Sequence, residues 1–365
     1  MRRQSRMASR TSRGKTRNTV ALAGAMALLA VALTSTSVAK TTPTLRVTPA
    51  SSPQRAVADR AAIVIVLDGA RWQDVVGAGR AMPQLMRLAK THGKVFGGAA
   101  TGPAMRASGP NFVSMPGYAE ILGGAPSRDC AGNDRCESAV HETIVDAVRN
   151  DGASPLDAAV FASWPDLVRV ASSRPEEVVV SAGRHLTHHE AQLRLDPSMG
   201  ELLDHGADAD AWPGEGDFRP DRFTAPLAER YLVSLRPRFL FVSLGEPDEY
   251  AHRGDRAGYL AALRLADDTI ATLYALTHGE GAHGRATTIL VTADHGRADD
   301  FRDHGGRWPE SARSWLVALD DGRSSGTITR DHALADIAPT VRAWLGLAAD
   351  TAPDAGHAMT ELLPR

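Results

Sequence analysis

At 365 residues with 43% hydrophobic content, the chain can bury the core of one large domain. Its formal net charge of -2 is unevenly spread: residues 1–39 hold seven basic residues and no acid, which leaves 34 of the 41 basic residues against all 43 acidic ones beyond them. A balance of -9 over 40–365 excludes a nucleic-acid backbone as the main partner.

The basic start runs into "VALAGAMALLAVAL", residues 20–33, which is short for a bilayer-spanning helix and the right length for a signal-peptide core. Small residues at Ser37 and Ala39 place the expected cleavage after Ala39. Export to the periplasm or beyond is the expectation for 1–39, with an uncleaved N-terminal anchor as the alternative and the only expected route to a membrane. Residues 40–58 are rich in Thr, Ser and Pro and read as a linker. A domain over 59–350 and a tail over 351–365 complete the expected organisation.

The domain opens with "AAIVIVLDGA", 61–70, a continuous apolar run of the kind found in strands buried on both faces of a parallel sheet. Similar runs follow at 157–163, 238–248, 286–296 and 314–322. Between them, 82–93, 255–279 and 333–347 carry helical periodicity; in the second, Leu260, Leu263, Ile270, Leu273 and Tyr274 share one face. Strands alternating with helices imply an α/β fold, a three-layer sandwich around a mostly parallel sheet. Residues 164–235, rich in Pro, Gly and Asp, read as an irregular insertion over the active face. The two cysteines, Cys130 and Cys136, are expected to form a local disulfide in an oxidising compartment.

Ligands of such a sheet are expected beyond the carboxyl ends of its strands. There the sequence places Asp68, then Asp248 with His252 four residues on, then Asp294-His295 with His304 nine residues later. Ser114 lies between the first two, in "GPNFVSMPGYAEILGG". Any one of these residues reads as an ordinary polar exit from a strand. Three buried strands each delivering an acid at one edge do not. Mixed oxygen and nitrogen ligands suit zinc or manganese, and so many suit two ions better than one.

The motifs "VLDGAR", "SMPGYAEILGG", "DEYAH", "TADHG", "RDHG" and "DIAPTVRAWLG", in that order over roughly 60–347, resemble the alkaline phosphatase superfamily, especially its phosphoglycerate-mutase, nucleotide-pyrophosphatase and sulfatase branches. The resemblance implies an alkaline-phosphatase-like sandwich and two divalent ions, zinc or alternatively manganese. Asp68, Asp294 and His295 would bind one ion, with Ser114 as fourth ligand and nucleophile. Asp248, His252 and His304 would bind the second, with His332 as the alternative to His304. The implied activity is hydrolysis of a small phosphate ester through a phosphoserine. A phosphodiesterase or sulfatase, or a non-catalytic metal-bearing binding protein, is the rival reading.

Sulfatases of the superfamily carry x-Pro-x-Arg after the nucleophile, whereas here Tyr118 stands at the arginine's place. The mutase needs a large inserted domain, for which this chain is short. Asn111 is a candidate substrate donor, and Arg71, Arg106 and Arg297 are candidate phosphate clamps. His185, His188 and His189 read as surface histidines. Asp299, Asp300 and Asp303 read as solvated acids, with Asp303 a candidate to orient His304.

Overall fold

The computed structural model describes residues 59–364 apart from 79–80, 99–100, 127–129, 137–141, 280–284, 321–324 and 351. The signal segment and linker expected over 1–58 lie outside the described residues. The first apolar run forms β1, Arg60–Leu67. Side chains alternate along a strand, and here both sets are buried: Ala62, Val64 and Val66 on one face, Ile63, Ile65 and Leu67 on the other. That double burial is why the run is continuous, each larger side chain contributing about 1.5–3 kcal/mol.

The chain continues through α1 (Pro83–His92), β2 (Gly93–Phe96), α2 (Ser114–Gly123), α3 (Ile144–Asn150), β3 (Ala158–Ala162), β4 (Val179–Ala182) and β5 (Leu186–Thr187). Then come α4 (Pro197–Asp208), α5 (Asp221–Leu235), β6 (Phe239–Leu244), α6 (Glu246–His252), α7 (Arg256–His278), β7 (Ala286–Thr292), β8 (Leu316–Leu319), β9 (Gly326–Thr327) and α8 (Ile337–Leu345). The main sheet has the order β9-β2-β8-β7-β1-β6-β3-β4-β5. Pairings from β7 through β4 are parallel. One face packs on α2, α3 and α8 through Tyr118, Ile121, Val145, Val341 and Trp344. The other packs on α1, α4, α5 and α7 through Leu85, Leu203, Tyr231, Leu263 and Ile270. The result is three layers.

Two expectations are corrected. The run at 314–322 reads like the parallel strands, but its described residues give β8, antiparallel to both β7 and β2, after Ser314 pairs in a small second sheet. A parallel return needs a crossover, usually helical. Residues 293–315 hold one short 3-10 turn, so the chain re-enters the sheet from the end it left. The segment 164–235 is not an irregular insertion either. It supplies β4 and β5 to the main sheet and two helices to one layer. Gly200 and Gly206 in α4 and Pro226 in α5 weaken the helical signal. Burial of Met199, Leu203, Leu227 and Tyr231 outweighs them.

The expected tail packs against the domain, with Met359 and Leu362 buried beside α8 and the Met359 N–H donating to Thr340 Oγ1 at 2.8 Å. Cys130 and Cys136 are disulfide-bonded and buried. Among the described residues no helix is long and apolar enough to cross a membrane.

Candidate metal centre

Three neighbouring parallel strands, β7, β1 and β6, end in register: Val66 lies beside Thr292, and Leu67 beside Leu244. Their exits are therefore adjacent. Asp68 follows β1, Asp294 and His295 follow β7, and α6 after β6 carries Asp248 and His252. Ser114 is the first residue of α2. That helix can lie on the β7 exit because residue 117 is glycine; a Cβ there would collide with the Asp294 carbonyl. Gly69 turns the chain with φ +57, and a Cβ there would overlap the Asp248 carboxylate.

In the first cluster, Ser114 Oγ donates to Asp68 Oδ1 at 3.2 Å and lies 3.4 Å from His295 Nε2. His295 Nε2 is in turn 3.5 Å from Asp68 Oδ1 and 3.2 Å from Asp294 Oδ2. A tetrahedral ion with bonds of about 2.0–2.1 Å sets its ligands roughly 3.3 Å apart. Asp294 Oδ2 is buried and has no hydrogen-bond partner among the described residues. The donor spacing and this orphaned oxygen both fit a divalent cation.

In the second cluster, His252 Nε2 is 3.0 Å from both Asp248 Oδ2 and His304 Nε2. His304 stacks on His295 with ring centroids 4.0 Å apart, so the two clusters share a wall. Asp68, Asp294 and His295 can converge on one ion, and Asp248, His295 and His304 on another. His295 has only Nε2 to offer, because its Nδ1 faces the Gly296 carbonyl at 2.9 Å. Its spacing assigns it to the first cluster, and His252 completes the second.

Burial, then the charge of Asp248, pushes Asp68 up to about 7. Burial and the Asp68 charge likewise raise Asp294 well above the carboxylate range. Burial also raises Asp248, but Arg297 chiefly outweighs it and holds this carboxyl well below its usual value. Burial lowers His295 to about 4 and, with His295 beside it, His304 to about 3. The hydrogen bond to Asp248 raises His252. Three carboxylates gathered in a dry pocket are costly without cations, and neutral imidazoles are the form that ligates.

The outer atoms of these side chains are held by partners that the sequence did not reveal in that role. Tyr118 Oη donates to Asp68 Oδ2 at 3.0 Å and contacts Ser243 Oγ at 2.7 Å. The Gly69 N–H donates to Asp294 Oδ1 at 3.0 Å. Buried Arg297 pairs with Asp248 Oδ1. His304 Nδ1 faces the Phe112 carbonyl at 3.0 Å. One signal was available: Tyr118 lies four residues after Ser114, one helical turn along the same face.

Other candidates lie elsewhere. His332 is held by Asp336 at 3.0 Å and Glu361 at 3.3 Å, away from the cluster. Asp303 is exposed, so the Phe112 carbonyl and not Asp303 orients His304. Asn111 lines a cavity of about 80 Å³ beside Asp294 and Gly117, yet its amide donates to the Ala131 carbonyl. Arg71 is committed to Asp74 at 2.8 Å and Arg297 to Asp248, so neither is a free phosphate clamp. Arg106 is exposed on a small separate sheet. His185 is exposed and pairs with Asp217, while His188 and His189 are half-buried.

Residues 226–349 match the family model of the Metalloenzyme superfamily, a stretch containing Asp248, His252, Asp294, His295 and His304. That match, the mutase relatives and the similar structures below together support an alkaline-phosphatase-like superfamily. The alkaline phosphatase PafA superposes with a TM-score of 0.60 over 84% of this chain and 99% of that one, at 11% identity. A phosphonate monoester hydrolase from Silicibacter pomeroyi gives 0.57 over 83% and 76%, at 17% identity. At such identities these likenesses show the alkaline-phosphatase-like fold alone. Among curated relatives, the 2,3-bisphosphoglycerate-independent phosphoglycerate mutase of Moorella thermoacetica is 34% identical over 105 residues, 28% of this chain and 20% of the mutase. That of Natronomonas pharaonis is 32% identical over 117 residues, 30% and 22% of the two chains. The match thus spans about a fifth of the length of these mutases.

Proposed function

We propose that this chain is an exported, two-metal phosphohydrolase whose nucleophile is Ser114. The observation that carries the reading is the Ser114 hydroxyl standing as fourth corner of a buried donor set with Asp68, Asp294 and His295. Those four residues would hold one divalent ion, and Asp248, His252 and His304 the second. Their mixed carboxylate and imidazole donors favour Zn2+, with Mn2+ the alternative. Bound there, such ions supply the Lewis acidity that favours the serine alkoxide and stabilises charge on phosphoryl oxygens.

The chain's own residues do the rest. Asp68 accepts the Ser114 hydrogen bond and fixes the hydroxyl at the mouth of α2, where burial keeps bulk water from solvating it. As the Ser114 Oγ–P bond forms, the hydroxyl proton passes by way of Asp68 to water, the P–O bond to the leaving alcohol breaks, and the departing oxygen takes up a proton from water. A second water then cleaves the phosphoserine, releasing phosphate and restoring Ser114. The phosphatase and phosphonate hydrolase among the similar structures support phosphorus as the reacting centre. Tyr118 is buried with its hydroxyl committed to Asp68 and Ser243, which disfavours the sulfatase reading.

The test is initial rates of the Zn2+- or Mn2+-loaded protein on matched nitrophenyl phosphate monoester, phosphate diester and sulfate. One phosphate ester should dominate, and Ser114→Ala should remove about 10³-fold or more of that rate. A dominant sulfate rate would overturn the substrate class. Absence of turnover with two ions bound would favour the non-catalytic reading. Export is tested separately, by whether the mature protein recovered outside the cytoplasm begins at Lys40.

A further inference from the structure

The two donor sets differ in charge. The first gathers two carboxylates, Asp68 and Asp294, with one imidazole and the Ser114 hydroxyl. The outer oxygens of those carboxylates are held by uncharged donors, the Tyr118 hydroxyl and the Gly69 N–H. The second has one carboxylate, Asp248, and two imidazoles, and its outer oxygen is held by a guanidinium. Arg297 is only 2% exposed. Its other contacts are carbonyls, Arg302 at 2.6 Å and Asp248 at 3.3 Å. Asp248 is its sole carboxylate partner among the described residues. The positive charge of Arg297 is therefore paired directly with the second set and offsets Asp248 before any ion arrives, while it reaches Asp68 and His295 of the first set only at longer range.

Access differs as well. Asp294 and His295 are fully buried and Asp68 and Ser114 nearly so, whereas the His252 side chain is 44% exposed. His252 Nδ1 has no hydrogen-bond partner among the described residues, in contrast to the outer nitrogens of His295 and His304.

Resting on the reading of both clusters as metal sites, we propose that Arg297 makes the second site weak and exchangeable. The chain then holds one ion tightly through Asp68, Ser114, Asp294 and His295, and fills the second site only as free divalent ion rises. Arg297 also keeps Asp248 paired in the singly loaded protein, so that form is stable and the second ion acts as a reversible activator.

The experiment is a calorimetric titration of the metal-stripped full chain with Zn2+ alone, using a competing chelator to resolve tight binding. Two steps are expected, the second about 100-fold weaker or more. Arg297→Gln removes the charge and should narrow the gap at least about tenfold by tightening the weak step. Asp248→Asn should lose the weak step and keep the tight one, while Asp294→Asn should lose the tight one. These two variants and the wild-type steps decide the matter even if Arg297→Gln fails to fold. Equal steps in the wild type, a weak step surviving Asp248→Asn, or an unchanged gap in Arg297→Gln overturns the inference while leaving two metal sites standing. No Zn2+ bound at all overturns the proposed function with it.

Discussion

Asp248 and His252 stand four residues apart, and so do His332 and Asp336; each pair is in contact at 3.0 Å. Only the first opens onto other donors. His252 Nε2 also faces His304, and Asp68 and Asp294 exit from the strands alongside. In the second pair both ring nitrogens are taken, Nδ1 by Asp336 and Nε2 by Glu361, and Phe96 packs edge-on against the ring. A histidine with both nitrogens engaged has nothing left to ligate with. Four-residue spacing thus makes a contact wherever it occurs. A metal site needs other strand ends converging on it.

The largest effect should come from breaking the open pair. His252→Ala is expected to lower phosphate ester hydrolysis about 10³-fold, whereas His332→Gln leaves kcat within about twofold. Comparable losses in both variants would erase the distinction. Tyr118→Phe removes the donor on Asp68 Oδ2 together with the Ser243 contact, and should weaken Zn2+ binding at the first set about 10–100-fold with the fold intact. Unchanged affinity would make Tyr118 simple core packing.

Replacing both Cys130 and Cys136 with Ser should cost about 2 kcal/mol in a denaturant melt. It should also lower kcat, because Asn133 in that loop accepts the Met115 N–H and caps the helix bearing Ser114. Lost stability without lost activity would deny the loop that second role.

The smallest effect concerns the closed pair. The hydrogen bond that His332 donates to Asp336 holds it above its ordinary value. Burial raises Glu361, but Arg330 and then His332 outweigh it and bring it to about 2. A raised histidine stabilises most below its unfolded value of about 6.5 and loses that contribution as pH rises through its folded value. A depressed glutamate stabilises above about 4.5 and loses it as pH falls toward 2. Wild type should therefore exceed His332→Gln by about 1 kcal/mol near pH 5.5, and by less near pH 8.5. Melts showing a difference that grows with pH would sink this account.

The strands that build the site were legible because their residues are buried on both faces, so β1, β6 and β7 appear as unbroken apolar runs. Asp68, Asp248 and Asp294 were legible because they stand where those runs stop. Residues 164–235 were not. Gly200, Gly206 and Pro226 look like breakers until Met199, Leu203 and Tyr231 are seen buried against the sheet. Arg297 was misread for a related reason. Its sequence position shows a cation beside Asp294-His295, but only the fold shows that it reaches across to Asp248 from the next strand but one. Partners of ligands come from other elements, and local patterns carry little trace of them.

The contact between His304 Nδ1 and the Phe112 carbonyl has a mechanical side. Phe112 lies two residues ahead of Ser114, so an imidazole of one cluster grips the backbone that delivers Ser114 to the other. The two clusters behave as jaws on a common pivot, and remodelling either one re-aims the serine.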